Sequence, residues 1–135
     1  LVTLSESAWA QFKRHRTATL IKASTEQQNT DIIIPDAIQE IGRADEWKRL
    51  FAQVKNHRKP LPRHLGAYLH LNAESTSVYA KLNLRELYHF SRLRCDEHAQ
   101  WEIRDLALQM VEQAKPYAPL ATSMLGGKSQ FDSLK

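Results

Sequence analysis

The chain has 135 residues, which is enough for one domain with a modest hydrophobic core. Its formal net charge of +4 favours an anionic partner, without distinguishing a nucleotide or dinucleotide from a nucleic acid. A single cysteine, Cys95, excludes an intrachain disulfide and a cysteine metal cluster within one chain, and no apolar run reaches the roughly 20 residues that span a bilayer, so we expect a cytoplasmic protein.

Three short elements are predicted before residue 36. Thr3 and Glu6 have the spacing of a capping box, in which each side chain satisfies a free backbone amide, so we expect a helix to begin there. Residues 17–21 and 32–34 are rich in β-branched side chains and predict extended segments, the second of which ends at Pro35.

Helices are also predicted in the middle of the chain. Asp36 and Gln39 repeat the capping-box spacing. Apolar residues then recur at i, i+3, i+4 and i+7, which predicts a helix of about 15 residues. These residues are Trp47, Leu50, Phe51 and Val54. A basic, proline-containing loop at residues 56–62 ends that helix, and we expect another near residues 62–71.

The next segment combines a loop, a short strand and a helix. Residues 72–77 are polar and predict a loop, whereas residues 78–81 predict an extended piece. Asn83 is placed to open a helix. Its apolar positions are Leu87, Phe90 and Leu93. Taken together, the elements predict an α+β fold that is rich in helix.

A last long helix is predicted from His98 to Lys115. Its apolar stripe consists of Ala99, Ile103, Leu106, Met110 and Ala114. Trp101 and Leu108 lie off that stripe, so this helix either contacts a partner chain or is buried on two sides within its own domain. We expect one domain over residues 1–125 and a loose tail over residues 126–135.

The first polar cluster is the triplet Arg14-His15-Arg16. Three cationic or donor side chains in a row at a helix end can bind phosphate oxygens. A solvated basic turn explains the same triplet, so both interpretations stay open. The sequence has no HExxH spacing, GxSxG elbow, GxGxxG turn or P-loop, so we expect no metal site and none of the corresponding chemistries.

The second polar cluster begins at Asn83. Arg85 and His89 are four residues apart and share a helix face. Arg94 and His98 flank the break between two helices, where their polar groups can converge on one cleft. Each residue also has an ordinary structural explanation, such as the favourable interaction of Arg94 with a helix dipole.

In this order, the two clusters resemble the flavin-dependent thymidylate synthases (ThyX). The specific part is the segment from Asn83 to Arg104, NLRELYHFSRLRCDEHAQWEIR, and the triplet at residues 14–16 is similar to the start of the signature RHRxxSxNExSxRY. The resemblance covers roughly Trp9 to Pro119. It implies a helix-rich ThyX-like fragment, and it implies that the family's amino-terminal portion is absent here or supplied by another chain or domain.

The resemblance also implies a reaction and a set of site residues. In the family, FAD binds at subunit interfaces, and a methylene group moves from methylenetetrahydrofolate to dUMP with NADPH recharging the flavin. Arg94 corresponds to the arginine that contacts the dUMP pyrimidine and stabilises its developing negative charge, and Ser24 to a substrate-binding serine. The cofactor-binding positions correspond to Arg14, His15, Arg16, Asn83, Arg85, His89 and His98.

Several positions depart from the family pattern. Ile21 and Lys22 replace an asparagine-glutamate pair, and Glu26 replaces an arginine that meets dUMP. Another phosphate-binding arginine falls near Ala67, with Arg63 one helical turn earlier. Each lost charge-assisted contact removes about 1.5–3 kcal/mol of binding free energy, so we expect an incomplete dUMP site.

Two functions therefore remain open. The chain is either part of a thymidylate-forming enzyme within a homo-oligomer, or a non-catalytic ThyX-like module that binds a nucleotide or pairs with an active partner. A third hypothesis, a basic nucleic-acid-binding domain suggested by Arg58, Lys59 and Arg63, is disfavoured because no recognition motif supports it.

Overall fold

The fold combines one small sheet with helices, as a computed structural model of residues 1–23 and 31–130 shows. The elements are β1 (Val2–Ser5), α1 (Glu6–Phe12), β2 (Thr19–Lys22), α2 (Asp36–Glu40), α3 (Ala44–Arg58), α4 (Arg63–Gly66), β3 (Ser75–Lys81), α5 (Leu84–Arg94), α6 (Trp101–Ala114) and α7 (Pro119–Thr122). Two 3₁₀ turns cover Ala67–Leu69 and Lys128–Gln130. This confirms the predicted α+β class. No helix in the described ranges is long and apolar enough to cross a membrane.

Strand β3 is the centre of the sheet. It pairs antiparallel with β1 on one side and with β2 on the other, and Val78 faces Val2 and Lys22. Thr76 and Val78 are buried and Tyr79 is exposed, which is the alternation of a strand with one face on the core. The predicted loop at residues 72–77 is therefore wrong at its end, because the polar residues from Ser75 onward gain backbone partners in β1.

The core lies where α1, α5 and α6 cover one face of the sheet. The rings of Phe12 and Phe90 meet at 5.2 Å between centroids, and both side chains are fully buried. Burial of a phenylalanine contributes about 1.5–3 kcal/mol to folding, so this pair is a main link between α1 and α5. Other core residues are Leu4, Ala8, Val78, Leu87, Ile103, Ala107, Val111 and Leu125.

Helix α1 begins at a different cap from the predicted one. Thr3 belongs to β1, and Ser5 caps the helix by accepting a hydrogen bond from the amide of Ala8 at 3.1 Å. Glu102 accepts from both the amide and the hydroxyl of Ser5, each at 2.5 Å, so the start of α1 is joined to α6. The predicted extended segment near Pro35 is reduced to an isolated bridge of Ile32 with Glu74.

The predicted helices of the central region are only partly confirmed. Helix α3 has the expected 15 residues, but Phe51 alone of its apolar face is buried, and Leu50 is 53% exposed. Helix α2 has no side-chain cap, because Pro35 stands at the cap position. The helix expected near residues 62–71 is shorter and consists of α4 and a 3₁₀ turn.

The two carboxy-terminal helices follow the predicted apolar pattern. Asn83 caps α5, as expected, by accepting from the amide of Glu86 at 2.8 Å. Helix α6 begins at Trp101 rather than His98, because Gln100 accepts from the amide of Ile103 at 3.0 Å and caps it. Trp101 and Leu108 are 41% and 38% exposed, so the described residues bury each of them only in part, and a partner chain on this face stays a prediction.

A buried carboxylate fastens α3 to β3. Glu74 is 1% exposed and accepts from Nη1 of Arg58 at 2.6 Å and from the amide of Leu71 at 3.0 Å, and Nδ1 of His70 lies 2.7 Å away. Burial acts to raise the pKa of Glu74, but the hydrogen bonds from Arg58, Leu71 and His70 outweigh it and hold the pKa below its usual value.

We expect the substitution Glu74→Ala to lower the free energy of unfolding by about 2–4 kcal/mol, because it leaves the partly buried Arg58 guanidinium without its counter-ion. Urea denaturation measures this loss. The matched control is Glu112→Ala in the exposed pair with Lys115, which should change the free energy of unfolding by no more than about 0.5 kcal/mol. Equal effects at both positions would contradict the assigned role of Glu74.

The same carboxylate predicts a pH dependence. Because its folded pKa is depressed, Glu74 stabilises the fold at pH values above its unfolded pKa of about 4.5, and this stabilisation is lost as the pH falls through the folded pKa. The stability gap between the native chain and Glu74→Gln should therefore be constant above about pH 5 and shrink below it. A stability gap that widens as the pH falls would contradict a lowered pKa of Glu74.

Candidate functional site

Two open clefts lie on either side of the buried His15 side chain. The first has a volume of about 580 Å³ and is lined by Arg14, His15, Arg16, Thr17, Asn83, Arg85, Glu86 and His89. The second has a volume of about 800 Å³ and is lined by Gln11, Leu93, Arg94, Asp96, Glu97, His98, Ala99, Gln100, Lys128 and Ser129. The first cleft is therefore built from the α1–β2 connection and α5, and the second from α1, the end of α5 with the turn that follows it, and the segment after α7.

The first cleft concentrates positive charge. After α1, the amide of His15 donates to Phe12 at 3.0 Å, and this tight turn buries the His15 side chain while Arg14 and Arg16 stay exposed. Arg85 reaches the same cleft from the first turn of α5. Three guanidinium groups on one cleft suit a ligand with phosphate groups, which guanidinium binds through paired hydrogen bonds.

His15 and Glu86 form the buried wall of this cleft. Nδ1 of His15 lies 3.0 Å from Oε1 of Glu86, and the hydroxyl of Thr17 donates to Oε2 of the same carboxylate. Phe90 packs edge-on against the imidazole at 4.9 Å. Burial lowers the pKa of His15, with Glu86 opposing and Arg94 reinforcing the shift, so the imidazole is neutral at physiological pH.

Arg94 belongs to the second cleft. Its Nη1 donates to the side-chain oxygen of Gln11 at 2.8 Å, and its Nε donates to Nε2 of His15 at 3.3 Å. Burial lowers the pKa of Arg94, and so does the nearby Arg14, but a guanidinium stays protonated in proteins. These acceptors are uncharged, and the carboxylates of Asp96 and Glu97 line the same cleft as Arg94.

The segment after α7 closes one side of the second cleft. Gly126 and Gly127, which begin the predicted loose tail, are buried, and the boundary at residue 125 stays a prediction. Asp96 accepts from the amides of His98 at 3.1 Å and Ser129 at 3.2 Å, and these hydrogen bonds lower its pKa. Residues 131–135 of that predicted tail lie outside the described residues.

The predicted site residues divide between the two clefts. The first cleft holds Arg14, His15, Arg16, Asn83, Arg85 and His89. His98 is not with them: it lines the second cleft together with Arg94. Ser24 and Glu26 lie outside the described residues, and the assigned roles of all these residues stay predictions.

The other departures from the pattern lie elsewhere in the fold. Ile21 is 61% exposed on β2, and Lys22 forms an ion pair with Glu6 at 2.5 Å. Ala67 and Arg63 belong to the 3₁₀ turn and α4, whereas both clefts are built from other elements. The structure therefore does not bring Arg63 to the site in place of the arginine expected near Ala67.

Sequence analysis missed Glu86, Thr17 and Gln11. The sequence contains one indication that Glu86 has a special role. This residue lies one turn before Phe90, on the apolar side of α5, where a carboxylate needs a buried partner. No local pattern identifies that partner as His15. Within the described residues, no group of three or more histidine, cysteine, aspartate or glutamate side chains is placed to share a metal ion.

Comparison with known proteins identifies the family of this chain. The family described as thymidylate synthase complementing protein matches residues 1–120. This chain belongs to that family, ThyX. Flavin-dependent thymidylate synthases from Pyrococcus furiosus and Sulfurisphaera tokodaii are both 30% identical to it, over 76% and 86% of the chain. The enzyme of that name from Geobacter sulfurreducens is 52% identical over 48 residues, which are 36% of this chain and 21% of that protein.

The ThyX match includes both clefts except for Lys128 and Ser129. The chain spans about half the length of the relatives that it matches over most of its own length, 48% of the Pyrococcus protein and 49% of the Sulfurisphaera protein. Family membership therefore rests on nearly the whole chain, whereas the activity of a whole relative does not transfer with it.

We expect Gly127→Ala to destabilise the fold by about 1–3 kcal/mol through overpacking. Its added Cβ would lie 2.7 Å from the carbonyl of Cys95 and 2.8 Å from the amide of Asp96, both backbone groups. Urea denaturation measures the cost, and the amide resonances of Asp96 and Ser129 report the distortion of the second cleft.

Gly66→Ala is the matched control. There the new Cβ would meet a side-chain carbon of Arg58 at 3.2 Å, which can move, and alanine favours the helix by up to about 1 kcal/mol. The expected change is therefore smaller than at Gly127. A Gly127→Ala variant with unchanged stability and unchanged resonances would show that the segment does not pack closely on the second cleft.

Proposed function

We propose that this chain contributes a flavin site to a flavin-dependent thymidylate synthase, which methylates dUMP to dTMP with methylenetetrahydrofolate and NADPH. The observation that carries the proposal is the convergence of Arg14, Arg16 and Arg85 on one cleft of a ThyX chain. Relatives that match most of the chain are named for flavin dependence.

The first cleft fits FAD by charge. Three guanidinium groups match the two negative charges of a pyrophosphate and can bind its oxygens in pairs. Asn83 and His89 add polar side chains to the lining of the cleft. The buried pair of His15 and Glu86 forms its fixed wall. Bound flavin would supply the hydride, and these residues would hold and orient it.

The second cleft suits the dUMP ring. Arg94 lines it with a guanidinium whose hydrogen-bond acceptors, Gln11 and His15, are uncharged, and Asp96 and Glu97 line the same cleft. A fixed cation in a partly buried site stabilises negative charge that develops on a pyrimidine, so Arg94 is the proposed catalytic residue. His98 lines the same cleft and would contact flavin only where the two ligands meet.

A second chain or domain completes the proposed site. We propose that the chain works as a homo-oligomer or pairs with a further ThyX-like domain in the cytoplasm. The exposed Trp101 and Leu108 on α6 supply apolar surface for such pairing.

The second candidate function is a non-catalytic ThyX-like module. It is favoured by the residues at positions where the family pattern has polar groups: Ile21 is apolar, and Lys22 is held by Glu6. Glu26 adds a negative charge where the pattern has a cation for dUMP. In this case the chain binds flavin or another nucleotide, or only pairs, without catalysis.

Flavin binding is tested by the visible absorption spectrum of the purified protein after FAD is added and free FAD is removed by gel filtration. We expect a retained flavin band. Arg16→Ala and Arg85→Ala should each weaken FAD binding about 10- to 100-fold, because each removes a charge-assisted contact of about 1.5–3 kcal/mol.

Arg43→Ala is the control for net charge, because Arg43 is exposed and pairs with Glu46 away from both clefts. It should leave FAD binding unchanged. A colourless, folded protein, or equal losses in all three variants, would contradict the flavin site. Titration with dUMP then separates the two functions: binding that Arg94→Ala abolishes supports the enzyme, and no binding to the flavin-loaded protein supports the non-catalytic module.

A further inference from the structure

Glu86 is a buried carboxylate to which the resemblance assigns no role. It is 5% exposed on the core side of α5, next to the fully buried Phe90. Each of its oxygens has a different partner, since Nδ1 of His15 meets Oε1 at 3.0 Å and the hydroxyl of Thr17 meets Oε2. A carboxylate held at both oxygens has a fixed orientation, and so does the imidazole beside it.

Only one arrangement of protons satisfies every group around His15. An ionised Glu86 can only accept, so Nδ1 of His15 must carry a proton. The Nε of Arg94 can only donate, and it lies 3.3 Å from Nε2 of His15, so Nε2 must carry a lone pair. The opposite tautomer would set two donors against each other at Arg94 and two acceptors against each other at Glu86.

We propose that Glu86 is a positioning residue for Arg94: by holding His15 in the neutral tautomer protonated at Nδ1, it aims the Nε2 lone pair at the guanidinium and fixes its plane. The role in catalysis rests on the proposed function, whereas the tautomer does not. The chain of contacts runs from Thr17 through Glu86 and His15 to Arg94, which Gln11 holds at its other end.

The alternative is that Glu86 only stabilises the fold. Glu74 provides the comparison, because it is also a buried carboxylate with its own cation and histidine partners, and it lies just before β3, outside the lining of both clefts. A change that Glu86 variants show and Glu74→Gln does not cannot come from general destabilisation.

The decisive measurement is the long-range ¹H–¹⁵N spectrum of the imidazoles in the full chain, with the His15 signals assigned by their loss in His15→Asn. We expect wild-type His15 to show a protonated Nδ1 and an unprotonated Nε2 at neutral pH. Glu86→Gln keeps an oxygen that can accept from Nδ1, so it should keep this tautomer. Glu86→Leu removes the acceptor and should give a mixture of tautomers.

The pKa of His15 supplies a second readout. The groups that face His15 are Glu86, Arg94 and His89, with Arg14 close to Arg94. Glu86 is the one that raises the His15 pKa, so Glu86→Gln should lower that pKa further, and Glu74→Gln should leave it unchanged. Glu86→Gln is nearly isosteric with the native residue, so the pKa of His15 in that variant tests the proposal even if Glu86→Leu does not fold.

Binding of dUMP connects the arrangement to function. Glu86→Leu should weaken dUMP binding about tenfold, because Arg94 is no longer held in its orientation. Tenfold corresponds to roughly 1.4 kcal/mol of binding free energy, and Glu86→Gln should restore the binding. A wild-type His15 protonated at Nε2, or an unchanged His15 pKa in Glu86→Gln, would overturn the proposal. The expected tautomer together with no dUMP binding supports the positioning of Arg94 and contradicts the proposed function instead.

Discussion

The hydrogen bond between His15 and Glu86 joins two parts of the chain that are 71 residues apart. Neither side chain tolerates burial alone, because an unpaired buried polar group costs several kcal/mol. Paired, they let the turn after α1 and the first turns of α5 share one wall, with Phe12 and Phe90 packed behind it. His15 and Glu86 line the first cleft, and His15 also contacts Arg94, which lines the second.

The charged side chains at the clefts have different partners from those in the rest of the fold. Arg58 is neutralised by the buried Glu74, so one of the three residues that suggested a nucleic-acid surface is engaged in holding α3 to β3. At the clefts, by contrast, the buried carboxylate contacts a histidine and a threonine, and Arg94 binds only uncharged acceptors. The three arginines that line the first cleft suit an anionic ligand, whereas at the second cleft Arg94 is accompanied by the carboxylates of Asp96 and Glu97.

Local patterns in the sequence predicted α3, α5 and much of α6, because a helix buries residues at regular spacing and Asn83 is a good cap. The same reasoning missed β1 and the start of β3, whose polar residues are extended only because distant strands pair with them. At the candidate site, the arginines and histidines stand out in the sequence as two polar clusters, and their predicted roles come from the resemblance to a family. Glu86, Thr17 and Gln11 were not, since each is placed by a contact between distant segments.

The central claim is that the contact between His15 and Glu86 is a strong, specific interaction and not an accident of packing. A double-mutant cycle tests it directly: the free energies of unfolding of His15→Ala, Glu86→Ala and the double variant are compared with that of the native chain. We expect a coupling energy of about 1–3 kcal/mol, because removing the second partner costs little once the first is gone. A coupling energy below about 0.5 kcal/mol, meaning additive losses, would contradict the account.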